Sequence, residues 1–257
     1  MKTERIYQIQ EYISRRGVVT IKELMEQFRV SLNTIRRDLN ELERLGKIEK
    51  IYGGAKCTEA TLSASNALIS YTEREVRNSL EKDAIARQAA AMIQEDDTIF
   101  IDTGTSTVPL LRHLRSFEHL TIVTNSVYVL YSALELPQFT VIGLPGIEKR
   151  KTASLVGDQC VQMLERYRFS KAFMACTTFS LSDGASNSSV EEFDIKRMVM
   201  SRSAEKYLLV DASKFGKASL LTFAGPDEFD YVITDTLPDP EYIRFFEEHN
   251  IRLITSM

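Results

Sequence analysis

Apolar residues recur at helical spacing through the start of the chain, then give way to short alternating runs. Ile6, Ile9 and Ile13 stand three and four apart, which predicts an amphipathic helix over about residues 3–16, ended by Gly17. A second helix opens at Thr20-Ile21-Lys22-Glu23. There the Thr20 hydroxyl can accept the third amide while Glu23 reaches back, and Leu24 and Phe28 turn to the core. Ser31 is placed to cap a third helix carrying Ile35, Leu39 and Leu42 on one face, with Asn33, Arg36 and Arg37 off it and Gly46 at its end. Lys47 to Tyr52 alternates like a strand, and Gly53-Gly54 allows the tight tip of a wing.

Residues 57–72 are rich in Ser, Thr and Ala and lose this periodicity. From about residue 78 helices and strands alternate. Helices are expected near 78–94, 108–114, 127–135, 158–167, 190–203 and 239–249. Strands are expected near 98–102, 120–125, 139–142, 171–176, 206–211, 231–235 and 251–255. That alternation predicts a mostly parallel sheet covered on both sides. The fold class is therefore α/β. The domain reading is a winged helix-turn-helix at 1–57, a linker at 58–75, and a larger α/β domain at 76–257.

Charge sharpens the division. The chain carries −4 overall, but residues 1–56 hold 12 Lys and Arg against 8 Asp and Glu, so a basic head precedes an acidic body. No run of about 18 apolar residues is present, which argues against a membrane span. Met1-Lys2-Thr3-Glu4-Arg5 opens a charged stretch where a secretory leader needs an apolar core, so a cytoplasmic location is expected. Cys57, Cys160 and Cys176 are far apart, as are His113, His119 and His249. Neither set has metal-ligand spacing, and no metal or cofactor is expected.

Two constellations carry chemistry. The first is the helix that Ser31 opens. Set at a steep angle by the preceding helix and turn, its first turn can enter a DNA major groove, whose base edges carry a readable donor and acceptor code. Ser31, Asn33 and Thr34 offer short polar groups at its leading end. Arg36 and Arg37 supply base or phosphate contacts, while Lys50, Tyr52 and the Gly53 and Gly54 amides reach the backbone from the wing. The second is Asp102-Thr103-Gly104-Thr105-Ser106-Thr107, between a strand and a helix. Such a turn aims amides and hydroxyls at one spot by the positive end of a helix, which suits a phosphate or carboxylate. Gly104 would let the chain approach that ligand closely.

Residues 4–56 resemble the DeoR family of bacterial regulators. The resemblance rests on Glu4-Arg5, Gly17-Val18-Val19, Glu23-Leu24, Val30-Ser31, Thr34-Ile35-Arg36-Arg37-Asp38-Leu39, Leu42-Glu43, Gly46 and Gly53-Gly54-Ala55. Lys50-Ile51-Tyr52 departs from the family's Arg-x-His. Met25 and Phe28 stand where Leu or Ala is usual. The likeness continues through Lys82-x-x-Ile85-Ala86, Asp102-x-Gly104-Thr105, Thr124-Asn125-Ser126, Gly157, Glu192-x-x-x-Lys196, Asp211-x-Ser213-Lys214-Phe215-Gly216 and Thr234-Asp235. Gly143-Leu144-Pro145-Gly146 departs from a family Gly-Gly pair.

The resemblance implies a body similar in fold to ribose-5-phosphate isomerase and CoA transferases. It also implies a repressor of carbohydrate-metabolism genes controlled by a phosphorylated sugar or polyol. Residues 102–107 would hold the phosphate, and Thr124, Asn125, Glu192, Lys196, Asp211 and Lys214 would line the sugar site. Lys196 and Lys214 would meet phosphate or hydroxyls, with Glu192 one turn before Lys196 on the same helix face. The expected partners are operator DNA and that effector, with a homo-oligomer, dimer or tetramer, reading paired half-sites. The alternative, a sugar-phosphate enzyme with a dispensable head, leaves Arg36 and Arg37 on a Ser-capped helix without a purpose.

Overall fold

The structure is a computed structural model. It describes residues 5–6, 8–10, 12–13, 18–51, 53–57 and 70–256. The expected helix stop at Gly17 and wing residue Tyr52 lie outside them, as does most of the expected linker. The chain forms two units, Met1–Ala67 and Leu68–Met257.

In the first unit, helix α1 is described within residues 5–13. It is followed by β1 (Val18–Thr20), α2 (Ile21–Phe28), α3 (Leu32–Arg44), β2 (Ile48–Ile51) and β3 (Gly54–Cys57). Local chemistry sets these boundaries. Thr20 and Glu23 form a complete capping box on α2, and Arg29 closes that helix in the left-handed region at φ 50°. The Ser31 hydroxyl accepts the Thr34 amide at the start of α3. Ile6, Ile9, Ile13, Leu24, Ile35, Leu39, Leu42 and Ile48 are buried together as a small core. Sequence periodicity missed β1, which pairs antiparallel with β3 to make a three-stranded sheet in the order β1-β3-β2. Three residues are too few to show a period.

In the second unit, helices α4 (Tyr71–Glu75) and α5 (Ser79–Ala90) lead into a seven-stranded parallel sheet. Its strands are β4 (Thr98–Ile101), β5 (Thr121–Thr124), β6 (Thr140–Gly143), β9 (Phe169–Ala175), β12 (Ser203–Leu209), β14 (Tyr231–Thr234) and β15 (Arg252–Thr255). Their spatial order is β15-β14-β12-β9-β4-β5-β6. Alternation within strands feeds two cores. Phe100, Ala172, Met174, Leu208 and Val232 face one, with Val199, Tyr242 and Phe246. Ile99, Ile101, Phe173, Tyr207, Leu209 and Ile233 face the other, with Ile85 and Ala89 of α5.

Two small antiparallel pieces escaped the sequence reading. One is the pair β7 (Ile147–Lys149) and β8 (Ser154–Val156), and the other is the three-stranded sheet β10-β11-β13 (Thr178–Ser180, Gly184–Asn187, Leu221–Ala224). The segment after β4 also differs from expectation. Val108–His113 is a six-residue 3-10 helix rather than an α-helix.

The strand order decides where a ligand can sit. From β4 the chain winds outward to β5 and β6, whereas from β9 it winds the opposite way to β12, β14 and β15. The connections therefore diverge between β4 and β9, and in open parallel sheets ligands sit outside the carboxyl ends of the strands at such a point. Residues 102–107 leave β4 at that end, and Cys176 leaves β9 there.

Candidate DNA-reading face and effector site

Helix α3 presents two faces. Ile35, Asp38, Leu39 and Leu42 are buried. Ser31, Asn33, Arg36 and Arg37 are exposed, and Thr34 is half-buried beside the cap. The Ser31 and Thr34 hydroxyls lie 3.0 Å apart, so the leading end of α3 is preordered. Asp38 is not a surface acid. It is 1% exposed and accepts both Nε and Nη2 of Arg5, at 2.7 and 3.3 Å.

The wing departs from the simplest reading. Lys50 Nζ donates to Asn40 at 2.8 Å and pairs with Glu43 at 2.7 Å, so its ammonium is tied to α3. That contact also holds the Glu43 carboxyl below its ordinary range. Gly53 is exposed at φ 78°, as a wing tip requires. Gly54 is buried in the sheet, where a Cβ would meet the Val19 carbonyl oxygen at 2.1 Å. Its glycine serves backbone packing rather than access to a phosphate.

In the second unit the loop 102–107 is wholly buried. Thr107 Oγ1 donates to the carbonyls of Asp102 and Gly104, at 2.7 and 2.8 Å, and the Thr107 and Val108 amides both return to the Gly104 carbonyl. Those contacts build the turn. Gly104 is required because a Cβ would lie 2.2 Å from that of Ala175 on β9, so the close approach it permits is to the sheet. The 3-10 helix that follows is too short to supply a helix dipole of consequence. The charges near this loop belong to side chains.

Five cations gather there. Lys196 is 4% exposed, ion-paired to Asp102 and hydrogen-bonded to the Ala175 carbonyl at 2.9 Å. Asp102 also accepts the Ala175 amide at 2.9 Å. Lys196 is thus a strut between β4 and β9 whose charge is already matched, and its partner is Asp102 rather than Glu192 one turn away. Glu192 accepts the Thr103 hydroxyl at 3.3 Å. Lys214 reaches the Ser106 hydroxyl at 3.4 Å and the Cys176 carbonyl at 2.9 Å, with Asp211 at 3.9 Å.

Thr124 donates to the Ile101 carbonyl and receives the Ser126 amide, so its hydroxyl is committed to the sheet end. Asn125 is buried with its Nδ2 on the Leu155 carbonyl, and its Oδ1 has no partner among the described residues.

The other three cations were not among the expected site residues. Arg74 feels Glu192 and Asp102, and Arg77 feels Asp211. Lys82 feels Lys214, Asp211 and both arginines. Burial lowers Arg77 to about 10 and Lys82 to about 7. Burial alone would raise Asp211. The charges of Lys214 and Lys82, with hydrogen bonds from Ser213 and Asn78, outweigh it and hold that carboxyl below its ordinary value. Arg74 stood in the expected linker, where nothing in composition distinguishes an exposed arginine from a half-buried one. Lys82 was part of the matched pattern, but one charge on an amphipathic helix carries no sign of burial.

Residues 77–236 match the DeoR C-terminal sensor domain, and residues 5–61 match the DeoR-like helix-turn-helix domain. The chain is 40% identical to the HTH-type transcriptional regulator IolR of Bacillus subtilis (strain 168), across 98% of each chain. It is 36% identical to the lactose phosphotransferase system repressor of Staphylococcus aureus (strain N315), across 91% of this chain and 92% of that one. Among solved structures, ribose 5-phosphate isomerase A from Methanocaldococcus jannaschii aligns at a TM-score of 0.40 and 15% identity, across 54% of this chain and 55% of that one.

Proposed function

Because the chain belongs to the DeoR family of transcriptional regulators, we propose that it represses carbohydrate-metabolism genes and is controlled by a phosphorylated sugar or polyol in its second unit. It is a DNA-binding regulator rather than an enzyme, since relatives matching it over nearly their whole lengths are regulators and repressors. One of them is a repressor of a lactose phosphotransferase system, which favours sugar metabolism here also.

In this reading the exposed edge of α3, with Ser31, Asn33, Thr34, Arg36 and Arg37, enters the major groove. Gly53 at the wing tip approaches the backbone. Pairing of copies lets two heads read two half-sites.

The observation that carries the effector reading is electrostatic. Lys196 with Asp102, and Lys214 with Asp211 and Ser106, stand at the carboxyl ends of the central strands, and the charges of Arg74, Arg77 and Lys82 act on the same carboxylates or on Lys214, so positive groups outnumber Asp102, Glu192 and Asp211 there. An anionic ligand relieves that imbalance. The Ser106 hydroxyl and Lys214 face its phosphate, and Asn125 Oδ1 is an acceptor for a hydroxyl.

A thermal-shift screen pairing sugar phosphates with their unphosphorylated parents tests this. One or more phosphates should raise the melting temperature while every parent leaves it unchanged. A flat response across the panel, or equal shifts from parent and phosphate, defeats the reading.

A further inference from the structure

Helix α3 opens on a residue that its own fold does not use. Leu32 is the first residue of the helix, directly after the Ser31 cap, and is 37% exposed. Ile35, Leu39 and Leu42 of the same helix lie in the small core, and Leu32 stands apart from it. The start of a helix favours acids or proline, which suit its positive end and its unfilled amides. A leucine there serves neither need, and the first turn of α3 holds no acid. Single exposed leucines are common on protein surfaces. This one stands among the groups placed to reach a duplex.

Its neighbours narrow what it can do. The Ser31 and Thr34 hydroxyls lie 3.0 Å apart, and Ser31 also accepts the Thr34 amide, so both are engaged within the cap. Leu32 and Asn33 are the exposed side chains of that turn outside the cap. Arg36 follows Leu32 by four residues and is exposed on the same side of the helix. Asn40 comes one turn later and accepts Lys50 of β2 at 2.8 Å. Leu32 thus heads a row, Leu32-Arg36-Asn40, that runs from the leading end of α3 toward the wing.

Base edges in the major groove offer donors and acceptors, and a leucine can answer none of them. Thymine alone also carries an apolar group there, its methyl. We propose that Leu32 packs on a thymine methyl and so fixes one A·T pair of the operator half-site. This rests on the placement of α3 in the major groove and adds to it a specificity-determining residue. Side chains of a helix tilt toward its amino terminus, so Leu32 projects from the end that leads into the groove. Contact there removes two apolar surfaces from water, and loss of one methyl weakens binding about fourfold.

Full-length protein and a duplex obtained by selection from random sequence test the proposal, with affinity read by fluorescence anisotropy. Each thymine of one half-site is replaced in turn by deoxyuridine, which removes the methyl and leaves the base pair intact. For the wild type, one of these replacements should weaken binding about fourfold. Leu32→Ala should bind the thymine and uracil forms at that position alike, and Leu32→Met, which keeps an apolar side chain of similar size, should still tell them apart. The ratio of the two affinities is read within each protein, so a change in folded fraction cancels. Arg36→Ala separates this inference from the reading beneath it. If Arg36→Ala and Leu32→Ala both match the wild type on every duplex, α3 lies outside the groove and both fail. If Arg36→Ala binds more weakly but no thymine is sensitive in the wild type, α3 reads DNA and the part given to Leu32 is refuted. A sensitive thymine to which Leu32→Ala responds as the wild type does assigns the methyl to another residue, and refutes it equally.

Discussion

The Arg5 guanidinium grips the Asp38 carboxylate through two donors, at 2.7 and 3.3 Å, and so ties α1 to the buried side of α3. The Asp38 carboxylate is buried while the Arg5 side chain is 27% exposed, so the pair lies at the edge of the small core. Within the run Arg36-Arg37-Asp38, the two arginines look outward and the acid looks inward. Asp38→Ala should therefore destabilise the DNA-reading unit by about 1–3 kcal/mol, the cost of stripping a charged hydrogen-bond partner from a partly buried group. Hydrogen exchange should quicken across α1 and α3 and stay unchanged in the second unit. Equal exchange in variant and wild type would show the pair to be ornamental.

Arg37 stands on the opposite side of the same helix, exposed, and its loss should act on binding alone. Arg37→Ala should weaken a duplex obtained by selection from random sequence by about 1–3 kcal/mol, the worth of a good bidentate base contact. Its ligand-induced rise in melting temperature should match the wild type. Fluorescence anisotropy at several salt concentrations checks this. Affinity for the selected duplex should fall more than affinity for random DNA, because phosphate contacts alone are indifferent to sequence. A uniform loss on both duplexes would assign Arg37 to the backbone.

The effector site separates from DNA reading in the same way. Thr105→Ala combined with Lys214→Ala removes a hydroxyl-bearing loop residue and the ammonium that reaches Ser106 and Cys176. The double variant should bind the selected duplex as the wild type does and lose the shift in melting temperature given by sugar phosphates. A retained shift would move the pocket away from the 102–107 loop.

Legibility in the sequence followed the range of the interaction. Thr20 with Glu23, and Ser31 with Thr34, act across three residues, and such caps can be read directly. The parallel strands show as apolar runs because both faces are covered, as in β9. What escaped depends on residues far apart. Lys196 meets Asp102 across 94 positions, and Asn78 meets Asp211 across 133. No spacing rule reports such pairs. The sequence therefore marked Asp102, Lys196 and Asp211 as site residues without revealing which cations are already neutralised. Arg74 escaped for a related reason: the weak periodicity of residues 57–72 conceals the short helix Tyr71–Glu75 and its buried Tyr71.

Lys82 offers a test through pH. Burial, then the nearby charge of Lys214, lowers its ammonium from 10.5 to about 7. The unfolded chain keeps this proton up to the ordinary lysine value, whereas the folded chain releases it near neutrality. Between about 7 and 10.5 the unfolded state therefore binds more protons, and stability must rise with pH across that window. Below it both states are protonated, and the cost of the buried charge is constant. The neutral amine still has two N–H donors, enough for the carbonyls of Arg74 and Arg77, so deprotonation relieves the charge without releasing either carbonyl. Lys82→Met removes the titrating group while keeping most of its length. Its denaturant stability should be flatter than the wild type's between pH 7 and 10, although the loss of two hydrogen bonds lowers it overall. Parallel pH profiles for the two proteins would mean that Lys82 titrates in the fold as it does in the unfolded chain.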